Sequence, residues 1–210
     1  PGDREGYLAC QSASSDPVPE GSVGCGTGAT VCKLLGMDSA VKGGIGTASM
    51  DLGDGLIVGA IVAVNAVGGI FDPDSHQVVA GPRKDNGKDM HDSMELITSP
   101  DYAGSRPTPS SNTTLGVVAT SANLTKAQAN VLASVAHDGL AIAVRPAHLM
   151  GDGDTFFALA TGAQDRPPEM NRILAASVLC VSRAIVRGVR KAKGIGGIPS
   201  VTELTPSDTA

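Results

Sequence analysis

The feature that most constrains the fold is an uninterrupted apolar run, LIVGAIVAV, at residues 56–64. β-Branched and small side chains dominate this run, which is typical of a strand, and it is too short to cross a bilayer as a helix. The turn-forming sequence DLGDG stands directly before it, at residues 51–55, and predicts a hairpin with residues 44–51. Because no polar residue alternates with the apolar ones, we predict a central strand that is buried on both faces.

The rest of the core must be built with few aromatic side chains. Of the 210 residues, 41% are hydrophobic and 18% are charged, as in ordinary globular domains. The chain has 27 glycines but only two tyrosines, three phenylalanines and no tryptophan. A core of Val, Ile, Leu and Ala favours closely packed layers, and glycines permit close approach of backbones. We therefore expect one compact, strand-rich domain over residues 1–210.

Charge and cysteine usage exclude several classes of function. The net charge is −5, and no basic stripe interleaved with aromatic residues is present, so we expect no nucleic-acid partner. The cysteines are irregularly spaced, unlike those of zinc sites or disulfide frameworks; they are Cys10, Cys25, Cys32 and Cys180. We expect free thiols in a reducing cytoplasm, no metal and no membrane association. The opening at Pro1, without an initiating methionine or a signal peptide, predicts that the chain is part of a longer protein.

The remaining sequence predicts elements in an order that suits layered sheets. A polar stretch rich in Pro, Ser, Asp and Lys at residues 82–112 has the character of a linker. A capping box at Thr125 and Gln128 begins a helix, and Gly139 is expected to end it. Further strands are predicted at residues 113–120, 140–144 and 155–161, and a long helix at residues 169–193. Because hairpin connections outnumber helical crossovers, two sheets covered by helices fit better than a doubly wound parallel sheet.

Thr113 stands where the polar linker meets a strand, in the sequence SNTTLGVVAT. A self-cleaving hydrolase places its nucleophile at such a junction, because the strand fixes the hydroxyl while the linker lets the scissile peptide bend. The Thr113 hydroxyl would attack the carbonyl of Asn112. Cleavage would expose an α-amine with a pKa of roughly 7.7–8.0, which can act as general base for the same hydroxyl. A pair of threonines at the start of a strand is also common without any catalytic role.

Several separated motifs occur in one order along the chain: GSVGCGTGATVCKLLGMDSAVKGGIGTAS, IVGAIVAVNAVGGIFD, SNTTLGVVAT and GDGDTFFALATG. In this order and at this spacing, over residues 21–191, the chain resembles the L-aminopeptidase/D-esterase family, which includes β-peptidyl aminopeptidases and nylon-oligomer endohydrolases. The resemblance implies an α/β fold, an α-β-β-α sandwich shared with the ornithine acetyltransferases. It also implies an amide hydrolase that acts on short peptides, amides or oligoamides without a cofactor.

In that family the precursor is cut into two parts that stay together, with Ser or Thr as the new N-terminus. The matching motif places the cut between Asn112 and Thr113. Residues 1–112 would then end the first part, and residues 113–210 would form the second. The resemblance further implies a homo-oligomer, commonly a tetramer of processed pairs.

The resemblance assigns roles to Lys33 and Asn65. Lys33 matches a catalytic lysine of the nylon-oligomer branch, and a cation near the nucleophile would lower the pKa of the hydroxyl or stabilise negative charge. Asn65 matches the family's oxyanion-hole asparagine, whose amide would donate to a tetrahedral intermediate. The alternatives without catalysis are a solvated surface lysine and a turn residue at the end of a strand.

Asp152 and Asp154, in the sequence GDGD, match an acidic pair that orients the amine of the nucleophile and the lysine. Two carboxylates on either side of a glycine also occur in surface turns and in calcium loops, although no further oxygen ligand completes a calcium site at this spacing. The histidines are scattered and receive no catalytic role; they are His76, His91, His137 and His148. His148 is close enough to the acidic pair in sequence to line the same site.

The family also has a longer N-terminal region, with another glycine-rich motif, part of the first sheet and a functional tyrosine. This chain does not contain that region, and Tyr7 lies in a different context and is not assigned the role. We therefore expect the catalytic assignment to apply to the protein that contains the chain, while the chain alone would be inert.

Two other functions remain open from sequence. One is an acyltransferase of the ornithine acetyltransferase type, in which an amine instead of water captures the acyl-enzyme. The other is a non-catalytic homologue that uses the fold as a scaffold. The sequence NTT favours the hydrolases, since the acetyltransferases typically carry ATM at their threonine.

Overall fold

The computed structural model of the chain describes residues 2–104 and 112–204. Within these ranges the helices are α1 (Asp3–Gln11), α2 (Ser93–Thr98), α3 (Lys126–Ala143), α4 (Met170–Arg190) and α5 (Val201–Leu204). The strands are β1 (Thr30–Val31), β2 (Val41–Lys42), β3 (Gly44–Asp51), β4 (Ile57–Asn65), β5 (Gly69–Phe71), β6 (Val78–Ala80), β7 (Thr113–Thr120), β8 (Val144–Arg145) and β9 (Thr155–Ala160). Among the described helices, none combines the length and apolar character needed to cross a membrane.

The main sheet has the strand order β3-β4-β7-β9. The first three strands pair antiparallel, and β9 runs parallel to β7. The predicted hairpin is confirmed, because the DLGDG turn joins β3 to β4, and β7 has the bounds expected from sequence. Two smaller sheets, β1-β2 and β6-β5-β8, account for the other strands of the described residues.

One face of the main sheet carries the hydrophobic core. Along β4 the side chains of Val58, Ala60, Val62 and Val64 are buried, and they alternate with side chains that are only partly covered. The buried valines belong to one apolar cluster with residues of α3 and α4. Helices therefore form a layer on a sheet, and the predicted layered α/β class is confirmed.

The opposite face of the sheet is largely uncovered by the described residues. Ile57 is 47% exposed, Leu115 45%, Phe157 55% and Leu159 57%. The prediction that β4 is buried on both faces is therefore wrong for the part of the chain that the structure describes. An apolar run indicates that both faces of a strand avoid polar side chains, but it does not indicate which element covers each face.

Helix α3 continues past the residue predicted to end it. The capping box is present as predicted: the Gln128 N–H donates to Thr125 Oγ1 at 3.3 Å, and the Thr125 N–H donates to the Gln128 side chain at 2.9 Å. Gly139, however, lies within the helix, and a Cβ there would stand 2.6 Å from the Val178 carbonyl oxygen of α4. This glycine permits close packing of the two helices. The strand predicted at residues 140–144 is therefore wrong: residues 140–143 continue α3, and only Val144 belongs to the short β8.

Helix α4 confirms the long helix predicted at residues 169–193, and it lies unusually close to the sheet. A Cβ at Gly46 on β3 would stand 2.1 Å from the Ala184 carbonyl oxygen of α4. No other residue type fits at this distance without moving the helix. Close layers of this kind leave little room for large rings, which explains why many glycines accompany few aromatic residues.

The end of the sheet at Asn65 is where the predicted site residues converge. Asn65, the last residue of β4, is the register partner of Thr113, the first residue of β7. Lys33 follows β1, and its N–H donates to the Val67 carbonyl oxygen just beyond β4 at 2.8 Å. The loop at residues 146–154 leads into β9 next to β7.

Candidate active site

The Thr113 side chain faces the peptide bond that precedes it. Its Oγ1 donates to the carbonyl oxygen of Asn112 at 2.6 Å. Thr113 is partly exposed, whereas Asn112 is only 7% exposed. A hydroxyl held against the carbonyl of its own preceding peptide is in position to approach the carbonyl carbon, which is the first requirement for self-cleavage.

Gly153 supplies a second donor to the same carbonyl. Its N–H donates to the Asn112 carbonyl oxygen at 2.9 Å. A Cβ at residue 153 would lie 2.8 Å from Thr113 Oγ1, so this position favours glycine. From sequence, Gly153 is only a spacer between two carboxylates. Every residue except proline has a main-chain N–H, so the residue type does not show that this one donates to the site.

The Asn65 side chain is fixed by donors on its oxygen. Its Oδ1 accepts hydrogen bonds from the Thr30 N–H at 2.9 Å and from Lys33 Nζ at 3.1 Å. Asn65 and Thr113 line the same cleft, so the oriented amide lies on the wall that carries the threonine.

Lys33 is buried, which excludes a solvated surface lysine. It is 7% exposed, and its Nζ donates to the main-chain and side-chain oxygens of Asn65, both at 3.1 Å. Burial lowers the pKa of Lys33 to about 8, against the opposing effect of the Asp152 carboxylate. An amine with this pKa exists in both protonation states near neutral pH.

Asp154 ties the start of β7 to the loop before β9. Its Oδ1 accepts a hydrogen bond from the Thr114 N–H at 2.8 Å, and its Oδ2 lies 3.2 Å from His148 Nδ1. The side chain of Asp154 is only 3% exposed. Both oxygens are therefore held, and one of them fixes the residue next to Thr113.

Asp152 lies on the other side of Gly153, and its carboxylate oxygens have fewer hydrogen-bond partners than those of Asp154. Its Oδ2 accepts from the Leu149 N–H at 3.1 Å, while its Oδ1 is buried without a hydrogen-bond partner among the described residues. Burial and the neighbouring Asp154 raise the pKa of Asp152, and the positive charge of Lys33 opposes this shift. The two carboxylates thus differ: both oxygens of Asp154 have partners, whereas Asp152 Oδ1 is buried without one among the described residues.

A cleft of about 700 Å³ opens beside these groups. Its walls combine the site residues with apolar side chains; they are Cys25, Gly28, Ala29, Thr30, Lys33, Met37, Ala63, Asn65, Thr113 and Leu115. The volume falls in the range of small-molecule sites. Asp152 and Asp154 stand behind Thr113 rather than in the cleft wall.

The structure brings together two histidines that sequence reasoning left apart. His137 Nδ1 lies 3.4 Å from His148 Nε2, and His148 in turn contacts Asp154. Helix α3 carries the first histidine and the loop before β9 the second, so no sequence spacing could reveal the pair. Within residues 2–104 and 112–204, no three His, Cys, Asp or Glu side chains are arranged to hold a metal ion.

The family model that describes peptidase family S58 matches residues 3–202. This chain belongs to peptidase family S58. The resemblance drawn from the sequence motifs is thereby confirmed.

Curated relatives agree with this membership. An uncharacterized aminopeptidase of Mycobacterium tuberculosis is 38% identical over 220 residues, which cover 96% of this chain and 61% of the relative. The 6-aminohexanoate-oligomer endohydrolase of a Kocuria species is 29% identical over 164 residues, covering 77% of this chain and 45% of that enzyme. The chain therefore spans 61% of the length of the first relative and 45% of the second.

Solved structures of the family have the same fold over most of the chain. A β-aminopeptidase from a Burkholderia species superposes with a TM-score of 0.61 at 26% identity, covering 94% of this chain and 56% of that one. The L-aminopeptidase D-Ala-esterase/amidase of Ochrobactrum anthropi, described as a variant of the Ntn hydrolase fold, gives a TM-score of 0.61 at 25% identity over 92% of this chain and 50% of its own.

Proposed function

We propose that the chain carries the active site of an amide hydrolase that cleaves itself between Asn112 and Thr113 and then uses Thr113 as its nucleophile. One observation carries this proposal. The Asn112 carbonyl oxygen accepts hydrogen bonds from Thr113 Oγ1 at 2.6 Å and from the Gly153 N–H at 2.9 Å. The attacking hydroxyl and a donor for the developing oxyanion therefore meet at one peptide bond.

Self-cleavage proceeds through an ester. Thr113 Oγ1 attacks the Asn112 carbonyl carbon, and the oxygen that becomes negative is held by the Gly153 N–H. The carbon–nitrogen bond then breaks, the Thr113 nitrogen takes up a proton as an amine, and the acyl group of Asn112 remains on Oγ1. Water hydrolyses this ester, which leaves a carboxylate on Asn112 and restores the hydroxyl.

Lys33 suits the role of proton acceptor in this step. Its pKa of about 8 leaves a fraction of the amine neutral near neutral pH, and a general base works best when its pKa lies near the working pH. Its hydrogen bonds to Asn65, the register partner of Thr113, support a location beside the nucleophile.

After cleavage the site can turn over an external amide. The new α-amine of Thr113, with a pKa of roughly 7.7–8.0, accepts the proton of its own hydroxyl. Asn65 Nδ2 then serves the oxyanion of the bound substrate, and Asp152 and Asp154 orient the ammonium groups of Thr113 and Lys33. Substrates are short peptides, amides or oligoamides, in keeping with the family and with the apolar walls of the cleft.

The two products are expected to stay together as residues 1–112 and 113–210. Strand β4 belongs to the first product and β7 to the second, and they pair over eight register positions from Val58 and Thr120 to Asn65 and Thr113. A break at the edge of this pairing removes none of its hydrogen bonds, so the central sheet supports a stable association.

Two adjacent threonines provide a matched test. Thr113→Val and Thr114→Val both exchange a hydroxyl for a methyl group at the start of β7, and Thr114 Oγ1 has no hydrogen-bond partner among the described residues. Expressed from the complete reading frame, the wild type and Thr114→Val should each give two fragments that meet at residues 112 and 113, by intact mass and denaturing electrophoresis. Thr113→Val should remain one chain without amidase activity.

Two other results would overturn the proposal. An uncut wild-type protein with amidase activity equal to that of Thr113→Val would remove the role of Thr113 altogether. Acyl transfer to an amine acceptor in preference to hydrolysis would instead identify an acyltransferase that uses the same nucleophile.

A further inference from the structure

His148 lies behind the proposed nucleophile, at the end of a chain of contacts. Its Nδ1 is 3.2 Å from Asp154 Oδ2, and Asp154 Oδ1 accepts from the Thr114 N–H at 2.8 Å. The side chain of His148 is 44% exposed, whereas that of Asp154 is 3% exposed. A partly exposed imidazole thus holds a buried carboxylate that in turn holds the main chain next to Thr113.

The orientation of the His148 ring is set from helix α3. His137 Nδ1 lies 3.4 Å from His148 Nε2, and the two ring centroids are 5.0 Å apart. His137 itself packs edge-on against the Phe156 ring of β9, at 5.0 Å between centroids. The Nε2 of His148 therefore faces a second imidazole, which leaves Nδ1 as the nitrogen that faces Asp154.

Charges around the two imidazoles favour this arrangement. The acidic groups that act on the two imidazoles are Asp154 of the loop and Asp138 of α3. Burial and the neighbouring His148 lower the pKa of His137. Either ring can supply the proton that lies between His137 Nδ1 and His148 Nε2. His148 donates from Nδ1 to the carboxylate both as the neutral tautomer and as the imidazolium.

We infer that His148 is a positioning residue that holds Asp154 in the rotamer required for self-cleavage and turnover at Thr113. This inference rests on the proposed function and adds a residue to its machinery. Without the contact to Nδ1, the Asp154 carboxylate is free to turn, and the Thr114 N–H loses a fixed acceptor. Gly153, whose N–H polarises the scissile carbonyl, is the neighbour of Asp154 and would move with it.

The backbone at His148 suits two variants. Its φ is 56°, in the left-handed region that Asn and Gly tolerate best. In His148→Asn the side-chain amide can place a donor near the position of Nδ1, whereas His148→Gly removes the donor and relieves the backbone. The two variants therefore separate the contact to Asp154 from any effect of the backbone.

The test follows self-cleavage by pulse-labelling during synthesis from the complete reading frame. His148→Gly should slow self-cleavage about tenfold or more, because it removes a hydrogen bond to a charged group, and His148→Asn should stay within about threefold of the wild type. After cleavage is complete, His148→Gly should lower kcat on a short amide substrate more than it raises KM, with a melting temperature close to that of His148→Asn.

The outcomes distinguish the inference from the function on which it rests. Cleavage of His148→Gly at the wild-type rate, or slow cleavage of both variants alike, would overturn the positioning role while self-cleavage of the wild type stands. A wild-type protein that is never cut would overturn the proposed function and this inference with it. If His148→Gly fails to fold, His148→Gln provides the same comparison, since its longer amide reaches toward His137 instead of Asp154.

Discussion

The two ends of strand β7 carry threonines whose hydroxyls make different kinds of hydrogen bond. Thr120, at the end, is 2% exposed; its Oγ1 donates across the sheet to the Ile57 carbonyl oxygen at 3.0 Å and accepts from the Ala122 N–H at 3.2 Å. Thr113, at the start, instead donates to the carbonyl of its own preceding residue, which already has a donor from Gly153. A hydroxyl shared between strands stabilises the sheet, whereas a hydroxyl directed at the preceding peptide carbonyl is placed as the proposed reaction requires.

The difference lies in what surrounds each hydroxyl rather than in the threonine. At the far end, Ser121 adds another structural link through its Oγ to the Gly55 carbonyl oxygen at 2.8 Å. At the near end, a buried lysine and two carboxylates of unequal surroundings converge instead. Groups with shifted pKa values are common at functional sites, and the pKa values of Lys33 and Asp152 are both shifted at this end.

Of the substitutions considered, Gly153→Ala should have the largest effect on the rate of self-cleavage. The added Cβ would stand 2.8 Å from Thr113 Oγ1, so the hydroxyl and the N–H donor could not both keep their positions on the Asn112 carbonyl. We expect self-cleavage to slow about a hundredfold or more, the effect of losing an oxyanion donor. Pulse-labelling during synthesis measures the rate.

Gly151→Ala is the control for that substitution, because a Cβ at residue 151 meets no atom within 4 Å. It should cleave at the wild-type rate. Equal rates in Gly153→Ala and Gly151→Ala would show that close approach at residue 153 has no bearing on the reaction.

Lys33→Met should have the next largest effect, about a hundredfold on the rate of self-cleavage, the lower end of what removal of a general base causes. The pKa of Lys33 is lowered to about 8, so the neutral amine increases as the pH rises to that value. The wild-type rate should therefore rise from pH 6 and level off above about pH 8. The measurement is the rate of self-cleavage as a function of pH, and in Lys33→Met this profile should show no inflection near pH 8.

Lys42 offers a matched control, since it is also buried and its Nζ donates to the Thr27 carbonyl oxygen at 2.8 Å. Lys42→Met should alter stability but leave the pH profile unchanged. A wild-type rate that falls through pH 8 would instead mean that the protonated form of Lys33 acts, as a stabiliser of negative charge.

Thr120→Val should have the smallest effect on the reaction and a measurable one on the fold. It removes the donor to Ile57 and the acceptor for Ala122, so the free energy of unfolding should fall by about 1 kcal/mol. Urea unfolding measures this change, and the extent of self-cleavage should match the wild type. Loss of cleavage without loss of stability would mean that the two ends of β7 are not separate in function.

Local patterns in the sequence predicted the elements that local chemistry decides. The DLGDG turn, the bounds of β7 and the capping box of α3 depend on neighbours along the chain. Gly139 was misread because its role is set by the carbonyl of Val178 on another helix. The open face of β4 was missed because coverage of a strand is a property of the whole fold.

The candidate site divides in the same way. The junction of linker and strand points to Thr113, and the resemblance adds the other four residues. The structure places all five at one end of the sheet; the four are Asn65, Lys33, Asp152 and Asp154. The main-chain donor of Gly153 and the contact of His148 with His137 could not be predicted. The first does not depend on the type of side chain, and the second is a tertiary contact between a helix and a loop.

The most direct test of the account observes the nucleophile itself. The protein, expressed from its complete reading frame, is mixed with a slowly turned-over ester of a short acyl group, quenched in acid and examined by mass spectrometry. We predict that the acyl group is attached through an ester to Thr113 as the first residue of a fragment that begins TTLGVVAT. An acyl group on any other residue, or turnover by a chain that is still joined at residues 112 and 113, would contradict the account.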